Sequence, residues 1–211
     1  YELISLIVPH RNEPLKLEVW NPSSRRKTRK NWVLLMPGLG GDRNHFHWLA
    51  RSLSHNGWPV VVLDHPGSDS EALADLVKGK LPLPGAEVIP GRINDLDSVL
   101  EAKESGQIDI SAENVVLVGH SLGSLTSFLA SGATVDDRLE NRCKKILDNL
   151  SLTNLSSLLQ CQITDISLSN RKKMKNLSAI IGMNSFGSFL WRNDIDNPIN
   201  VPMFLTGGSF D

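Results

Sequence analysis

The chain has 211 residues, of which 40% are hydrophobic and 21% are charged, as expected of one globular domain with a substantial core. A formal net charge of −1 gives no general reason to expect a nucleic acid or an anionic membrane as a partner. No apolar run is long enough to span a bilayer, and two cysteines imply neither a disulfide framework nor a metal site.

The first residue, Tyr1, is not a methionine, so we expect the native N terminus to lie upstream of it. A removed signal peptide is one explanation, which leaves the compartment open. A cytoplasmic location is our first expectation and export is the alternative. The sequence leaves the oligomeric state open.

Apolar runs and helix-period patterns alternate along the chain. Alternating or continuous apolar runs predict strands at residues 3–8, 15–20, 32–36, 59–63, 115–118, 176–183 and 201–206. Helix-period patterns predict helices at residues 43–55, 70–78, 91–105 and from Leu122 to near Gly132, with a loop over 81–90. This order predicts an α/β fold in which helices cover both faces of a mostly parallel, doubly wound sheet, with the first two strands forming an antiparallel pair at its edge.

A basic segment, residues 23–30, separates the edge pair from the next strand. We interpret it as a solvated loop that also discourages pairing between sheet edges of neighbouring molecules. The alternative is a docking patch for anionic lipid or another acidic surface.

The pentapeptide Gly119-His120-Ser121-Leu122-Gly123 lies between a predicted strand and a predicted helix. This G-x-S-x-G pattern is typical of the nucleophile elbow of serine hydrolases with the α/β-hydrolase fold. The sharp turn that lifts the serine leaves no room for side chains two residues before and after it, so glycine is required at both positions. The alternative interpretation is a tight structural connection in which Ser121 has no chemical role.

The predicted position of Ser121 at a helix N terminus suits acyl transfer. Free N–H groups and the helix dipole favour negative charge there. The backbone N–H of Leu122 would therefore form half of an oxyanion hole.

Four motifs occur in an order that resembles a known family. They are residues 36–41 (MPGLGG), 64–68 (DHPGS), 119–123 (GHSLG) and 201–211 (VPMFLTGGSFD). The order resembles the α/β-hydrolase superfamily, and in particular bacterial predicted dienelactone hydrolases, which themselves resemble platelet-activating-factor acetylhydrolases. The resemblance covers nearly the whole chain and implies a single α/β-hydrolase domain over 1–211, with 133–176 as a helical insertion resembling a cap.

The resemblance also implies roles for individual residues. Ser121 matches the nucleophile, and the backbone N–H groups of Leu39 and Leu122 match the two oxyanion donors. Asp211 matches the acid after the seventh strand, with Asp194 or Asp196 as alternatives. The family more often has histidine where this chain has Pro37, and dienelactone hydrolases in the strict sense use a cysteine nucleophile, so the family label does not give the substrate.

The catalytic base is the missing member of the predicted triad. In this fold the order along the chain is serine, acid, histidine, but none of the six histidines follows Ser121. We therefore expect the chain to be truncated, with the eighth strand, the last helix and the catalytic histidine beyond Asp211. His45 and His47 could face the pocket, but their spacing points them in different directions and makes a metal site a weak alternative.

The sequence thus predicts a serine hydrolase that cleaves a small carboxylic ester through an acyl-enzyme and requires no metal or organic cofactor. Phe186, Phe189 and Trp191 are candidates for a pocket that would suit an acyl chain or a lipid-like ester, and core packing is the alternative for these aromatics. Cys143 and Cys161 would pair and staple the helical insertion in an exported protein, or stay free and buried. The rival hypotheses are a non-catalytic binding protein of the same fold and an acyltransferase or lipase with the same elbow.

Overall fold

The computed structural model describes residues 1–136, 138–147, 155–163, 174–185, 187, 190 and 199–208. The strands of this part of the chain are Glu2–Leu6 (β1), Leu15–Trp20 (β2), Asn31–Met36 (β3), Val60–Leu63 (β4), Asn114–His120 (β5), Leu177–Met183 (β6) and Met203–Thr206 (β7). Its α-helices are His47–His55 (α1), Ser70–Val77 (α2), Val88–Glu104 (α3), Leu122–Ala130 (α4), Leu139–Leu147 (α5) and Leu155–Gln162 (α6).

The strands form one sheet in the order β1-β2-β4-β3-β5-β6-β7. β1 pairs with β2, and β2 with β4, in antiparallel fashion, whereas β4, β3, β5, β6 and β7 are parallel to one another. The predicted mostly parallel sheet with an antiparallel pair at one edge is therefore confirmed.

Alternate residues of the central strands point into two separate cores. In β3, Trp32 and Leu34 belong to the core on one face, which α3 and α4 cover. Val33 and Leu35 belong to the core on the other face, together with Phe46 and residues of α1. Because both faces are covered, the apolar runs of β3, β4 and β5 are continuous rather than alternating. The predicted double covering is confirmed.

Two predicted helices have different bounds in the structure. The segment predicted as one helix over 43–55 divides into a 3-10 turn, Arg43–Phe46, and the α-helix α1. The predicted loop over 81–90 ends early because α3 begins at Val88. Pro90 lies in the first turn of α3, where its missing N–H would have had no partner within the helix.

A disulfide joins the two helices after α4. Cys143 of α5 and Cys161 of α6 are bonded, with their Cα atoms 5.6 Å apart. Of the two alternatives for these cysteines, the structure has the paired one. The cap role of this segment remains a prediction. None of the helices in the described ranges has the length and hydrophobicity needed to cross a membrane.

Candidate active site

Ser121 lies on a strained turn between β5 and α4. Its φ of 50° and ψ of −115° are rare for a residue other than glycine. The Ser121 N–H donates to the Met183 carbonyl oxygen of β6 at 2.9 Å, and its own carbonyl oxygen accepts from Ser124 N–H at 3.0 Å. These bonds tie the turn to the neighbouring strand on one side and to the helix on the other.

The two glycines of the motif permit close contact between the elbow and its surroundings. A Cβ added at Gly119 would overlap the backbone of Gly123 and Ser124. A Cβ at Gly123 would overlap the Met36 carbonyl oxygen and lie 2.8 Å from that of Pro37. The reason the sequence gives for both glycines therefore holds in the structure.

Ser124 is a further residue of the elbow that sequence reasoning missed. Its side chain is fully buried, and its Oγ donates to the Gly119 carbonyl oxygen at 2.6 Å. This bond joins the residues before and after Ser121 and so stabilises the turn that holds the predicted nucleophile. Its position three residues after Ser121 is the one signal in the sequence that could have indicated it.

The predicted oxyanion loop, residues 37–41, lies directly against the elbow. A Cβ added at Gly38 would be 3.1 Å from the Ser121 Cβ and 3.1 Å from the His120 carbonyl oxygen. Within the described ranges, the N–H groups of Leu39 and Leu122 donate to no acceptor. Leu122 is the first residue of α4, so its N–H has no partner within the helix. The structure thus brings Ser121 and the segments of both predicted donors together.

Ionic and capping contacts fix the chain that follows this loop. Asp42 caps the 3-10 turn by accepting from Asn44 N–H at 3.0 Å. Arg43 donates from both its backbone N–H and its Nε to the Asp64 carboxylate, each at 2.8 Å. Burial raises the pKa of Asp64, and the adjacent Arg43 opposes that rise.

Three of the six histidines lie in the elbow or just after the oxyanion loop. The His120 side chain is exposed, and its Nδ1 would lie 3.1 Å from a Cβ at Gly38. His45 accepts at Nδ1 from the Asp42 N–H, whereas Nε2 of His47 lies 2.9 Å from a Glu18 carboxylate oxygen. His45 and His47 therefore have different partners. In the part of the chain that the structure describes, no three histidine, cysteine, aspartate or glutamate side chains are grouped so that they could hold a metal ion.

A buried charge network lies on the α3 side of the sheet. The Asp95 carboxylate bonds to His65 Nδ1 at 2.9 Å, to His10 Nε2 at 2.8 Å and to Arg11 Nη2 at 2.7 Å. Burial, reinforced by the positive charge of Arg92, lowers the pKa of His65 to about 3. Burial alone would raise the pKa of Asp95, but the hydrogen bonds from His65 and Arg11 outweigh it and hold that pKa below its usual range. His65 is thus neutral and Asp95 ionised at neutral pH.

Several predicted site residues lie outside the described ranges. They are Asp211, the alternative acids Asp194 and Asp196, and the pocket candidates Phe186, Phe189 and Trp191. Their roles remain predictions.

The basic segment lines a surface groove of about 740 Å³ at the opposite end of the sheet from Ser121. Arg26, Lys27, Arg29 and Lys30 line it together with Trp58, over which the Arg29 guanidinium lies at 5.9 Å from the ring centroid. Arg29 N–H donates to the Gly57 carbonyl oxygen at 2.7 Å, which docks the segment on the turn after α1. The solvated loop and the docking patch remain predictions for this segment.

The sheet order, the elbow and the adjoining loop are together typical of the α/β-hydrolase fold. The comparison with family models gives the same result. The model described as the alpha/beta hydrolase fold matches residues 31–147, which is more than half of the chain. The chain belongs to the α/β-hydrolase fold family. No curated protein matches the chain.

Many solved structures share the fold at low sequence identity. The dienelactone hydrolase from Anabaena variabilis has a TM-score of 0.55 and 14% identity, over 100% of this chain and 74% of that one. A highly thermostable carboxyl esterase from Bacillus coagulans has a TM-score of 0.51 and 11% identity, over 98% and 90%. Est1E from Butyrivibrio proteoclasticus has a TM-score of 0.48 and 10% identity over 87% of this chain, which spans only 51% of Est1E.

Proposed function

We propose that the protein is a serine hydrolase that cleaves carboxylic esters through an acyl-enzyme on Ser121. The observation that carries the proposal is the conformation of Ser121: a left-handed φ at the junction of a buried strand and a buried helix, beside a loop whose Leu39 N–H has no acceptor among the described residues. Strain of this kind costs free energy and persists where the surrounding structure imposes it, often at sites of chemistry. A connection without a chemical role would not need it.

The mechanism follows from these groups. Ser121 Oγ attacks the ester carbonyl carbon while its proton passes to a histidine base, and the carbonyl oxygen takes the negative charge. The N–H groups of Leu39 and Leu122 donate to that oxygen, each contributing about 3 kcal/mol to the transition state. The alcohol leaves with the proton from the histidine. Water then attacks the acyl-enzyme by the same steps and releases the carboxylic acid.

The acid and base of the triad are proposed from the family resemblance. Asp211, or alternatively Asp194 or Asp196, would orient the histidine, which follows the acid along the chain in this fold. The codons that follow Asp211 in the gene test this directly. Absence of any later histidine would contradict the triad and favour a non-catalytic protein of the same fold.

Labelling by a fluorophosphonate tests the nucleophile. Such a probe phosphonylates only a serine that a neighbouring base activates, so the full-length gene product should be labelled. Ser121→Ala should lose the label and at least about a thousandfold of the activity on p-nitrophenyl esters, since removing a triad member costs orders of magnitude in rate.

Ser131→Ala is the matched control for this experiment. Ser131 lies just after α4, and its buried hydroxyl bonds to the Ser127 carbonyl oxygen at 2.7 Å, so the variant removes a serine hydroxyl from the other end of the same helix. It should keep both label and activity. Labelling that persists in Ser121→Ala would contradict the assignment of the nucleophile.

The substrate class can be measured on the same protein. We propose an acyl chain or lipid-like ester, because aromatic residues occur in the segment predicted to line the pocket. A series of p-nitrophenyl esters of increasing acyl length would give the pocket size. Addition of alcohol acceptors would separate hydrolysis from acyl transfer, because a transferase would form a new ester instead of the acid.

A further inference from the structure

Arg92 of α3 is a buried cation that contacts three separate segments around the elbow. Its side chain is 1% exposed. Nη2 donates to the Pro37 carbonyl oxygen, Nη1 to Ser68 Oγ at 2.8 Å and Nε to Thr126 Oγ1 at 3.1 Å. One guanidinium therefore joins the oxyanion loop, the loop after β4 and the elbow helix α4.

Two of these contacts lead to the peptide around Leu39, one directly and one through Ser68. Pro37, two residues before Leu39, is held through its carbonyl oxygen by Arg92. Gly40, the residue after Leu39, donates its N–H to the Ser68 carbonyl oxygen at 2.8 Å. Because Arg92 also binds the Ser68 side chain, it fixes both supports of the peptide that carries the first predicted oxyanion donor.

The third contact leads to the second donor. Thr126 Oγ1 accepts from Arg92 Nε and donates to the Leu122 carbonyl oxygen at 2.8 Å. Leu122 is the residue whose N–H is the other predicted donor. The two donors come from segments more than eighty residues apart in the chain, and Arg92 connects them through a single planar group.

Only arginine can make this set of contacts. Its guanidinium presents five donors in a rigid plane, whereas the lysine ammonium is a compact charge on a flexible stem. Burial lowers the pKa of Arg92 to about 9, against the opposing field of Asp95, so the group stays charged at neutral pH. Burying a charge costs free energy, and hydrogen bonds to three acceptors together with the nearby Asp95 offset that cost.

We propose that Arg92 is a positioning residue that sets the separation and direction of the Leu39 and Leu122 N–H groups. This inference rests on the proposed esterase function. Arg92 does not touch the substrate, and its effect on the reaction passes through Pro37, Ser68 and Thr126. Displaced donors would stabilise the oxyanion less while leaving the binding of the ester almost unchanged, because the oxyanion forms only in the transition state.

The kinetic test compares Arg92→Gln with Arg11→Gln in the full-length protein. Both variants lose an arginine beside the charge network of Asp95. Arg11 bonds to Asp95, and none of its hydrogen bonds within the described ranges reaches the oxyanion loop. With a p-nitrophenyl ester, Arg92→Gln should lower kcat at least tenfold and leave KM within threefold. Arg11→Gln should leave both within threefold.

Two milder variants keep the test valid if Arg92→Gln does not fold. Thr126→Val removes the hydroxyl that links Arg92 to Leu122 and conserves the shape of the side chain; it should lower kcat about threefold to tenfold. Arg92→Lys keeps the charge and loses the planar contacts; it should also lower kcat at constant KM. Equal kcat in these variants and the wild type would overturn the proposal.

Amide hydrogen exchange gives a readout that does not depend on activity. In Arg92→Gln the peptide that contains residues 37–41 should exchange at least tenfold faster than in the wild type, with no such change in Arg11→Gln. Unchanged exchange would overturn the positioning role. A wild type without esterase activity and without labelling of Ser121 would overturn the proposed function itself, whereas an equally active Arg92→Gln would overturn the role of Arg92 alone.

Discussion

Two glycines determine how closely the elbow approaches the strands beneath it. Gly123 lies within α4, where alanine would normally be preferred by up to about 1 kcal/mol. In this helix the space for a side chain is occupied by the carbonyl oxygens of Met36 and Pro37. These oxygens have little freedom to move aside, because Met36 belongs to a paired strand and the Pro37 carbonyl oxygen is bonded to Arg92. The local preference for alanine is therefore reversed by contacts between segments distant in the chain.

Gly123→Ala should consequently destabilise the protein by about 3 kcal/mol, the upper part of the range for overpacked cores. Urea unfolding measures the change. Gly85→Ala is the control, because a Cβ there would meet the ends of the Gln162 and Glu87 side chains, whose displacement costs only their hydrogen bonds to the Ala86 and Gly85 N–H groups. It should cost about 1 kcal/mol, less than Gly123→Ala. A Gly123→Ala variant as stable as Gly85→Ala would contradict the packing argument.

Apolar contacts hold the helices α5 and α6 to the rest of the domain, and a disulfide joins the two helices to each other. Leu139 and the two cysteines belong to the large core cluster. The disulfide spans 18 residues of sequence, so it restricts the unfolded chain between the helices. An element of this kind gains much of its order from the crosslink, since each helix has at most nine residues and would be marginal alone.

Reduction should therefore lower the free energy of unfolding by about 3 kcal/mol, the value that chain entropy gives for a loop of this length. Urea unfolding with and without dithiothreitol measures this difference. The double variant Cys143→Ala/Cys161→Ala is the control and should respond equally in both conditions. Two thiols that react with Ellman's reagent in the native, unreduced protein would contradict the pairing.

The charge network around Asp95 joins parts of the molecule that are distant in sequence. His10 and Arg11 follow β1, His65 follows β4, and Asp95 lies in α3. In the unfolded chain His65 would take up a proton near pH 6.5, but in the folded protein its pKa is about 3. The unfolded state therefore binds more protons over this interval, and stability falls as the pH decreases from about 6.5 towards 3.

The slope that His65 adds should approach about 1.4 kcal/mol per pH unit within that interval. His65→Gln removes the titrating ring and keeps an N–H donor for Asp95, so its unfolding free energy should fall less steeply between pH 6.5 and 4. His55→Gln, which changes an exposed ring, should leave the slope of the wild type unaltered. Chemical denaturation at a series of pH values measures all three proteins, and equal slopes would contradict the assignment to His65.

Features that depend on neighbouring residues could be predicted from the sequence, whereas those that join distant residues could not. The continuous apolar runs of β3, β4 and β5 gave the central strands, and the spacing of Gly119, Ser121 and Gly123 gave the elbow. The start of α3 was missed because a proline-rich stretch has no helical period. The Arg92 contacts were missed because its partners lie at positions 37, 68 and 126, and the apolar face of α3 gives no sign that a polar side chain lies beside it.

One irregularity of the sheet bears on how the family can vary in length. Between β5 and β6 the pairing passes from Val115 opposite Leu177 to Val116 opposite Ala179, so Ser178 is an extra residue on one strand. Beyond it the two strands run in step as far as Met183, whose carbonyl oxygen receives the Ser121 N–H. Relatives that lack a residue at this bulge would keep the same partner for the serine amide. Relatives that lose a residue of β6 between the bulge and Met183 would need a different acceptor for the serine amide and a different turn after β5.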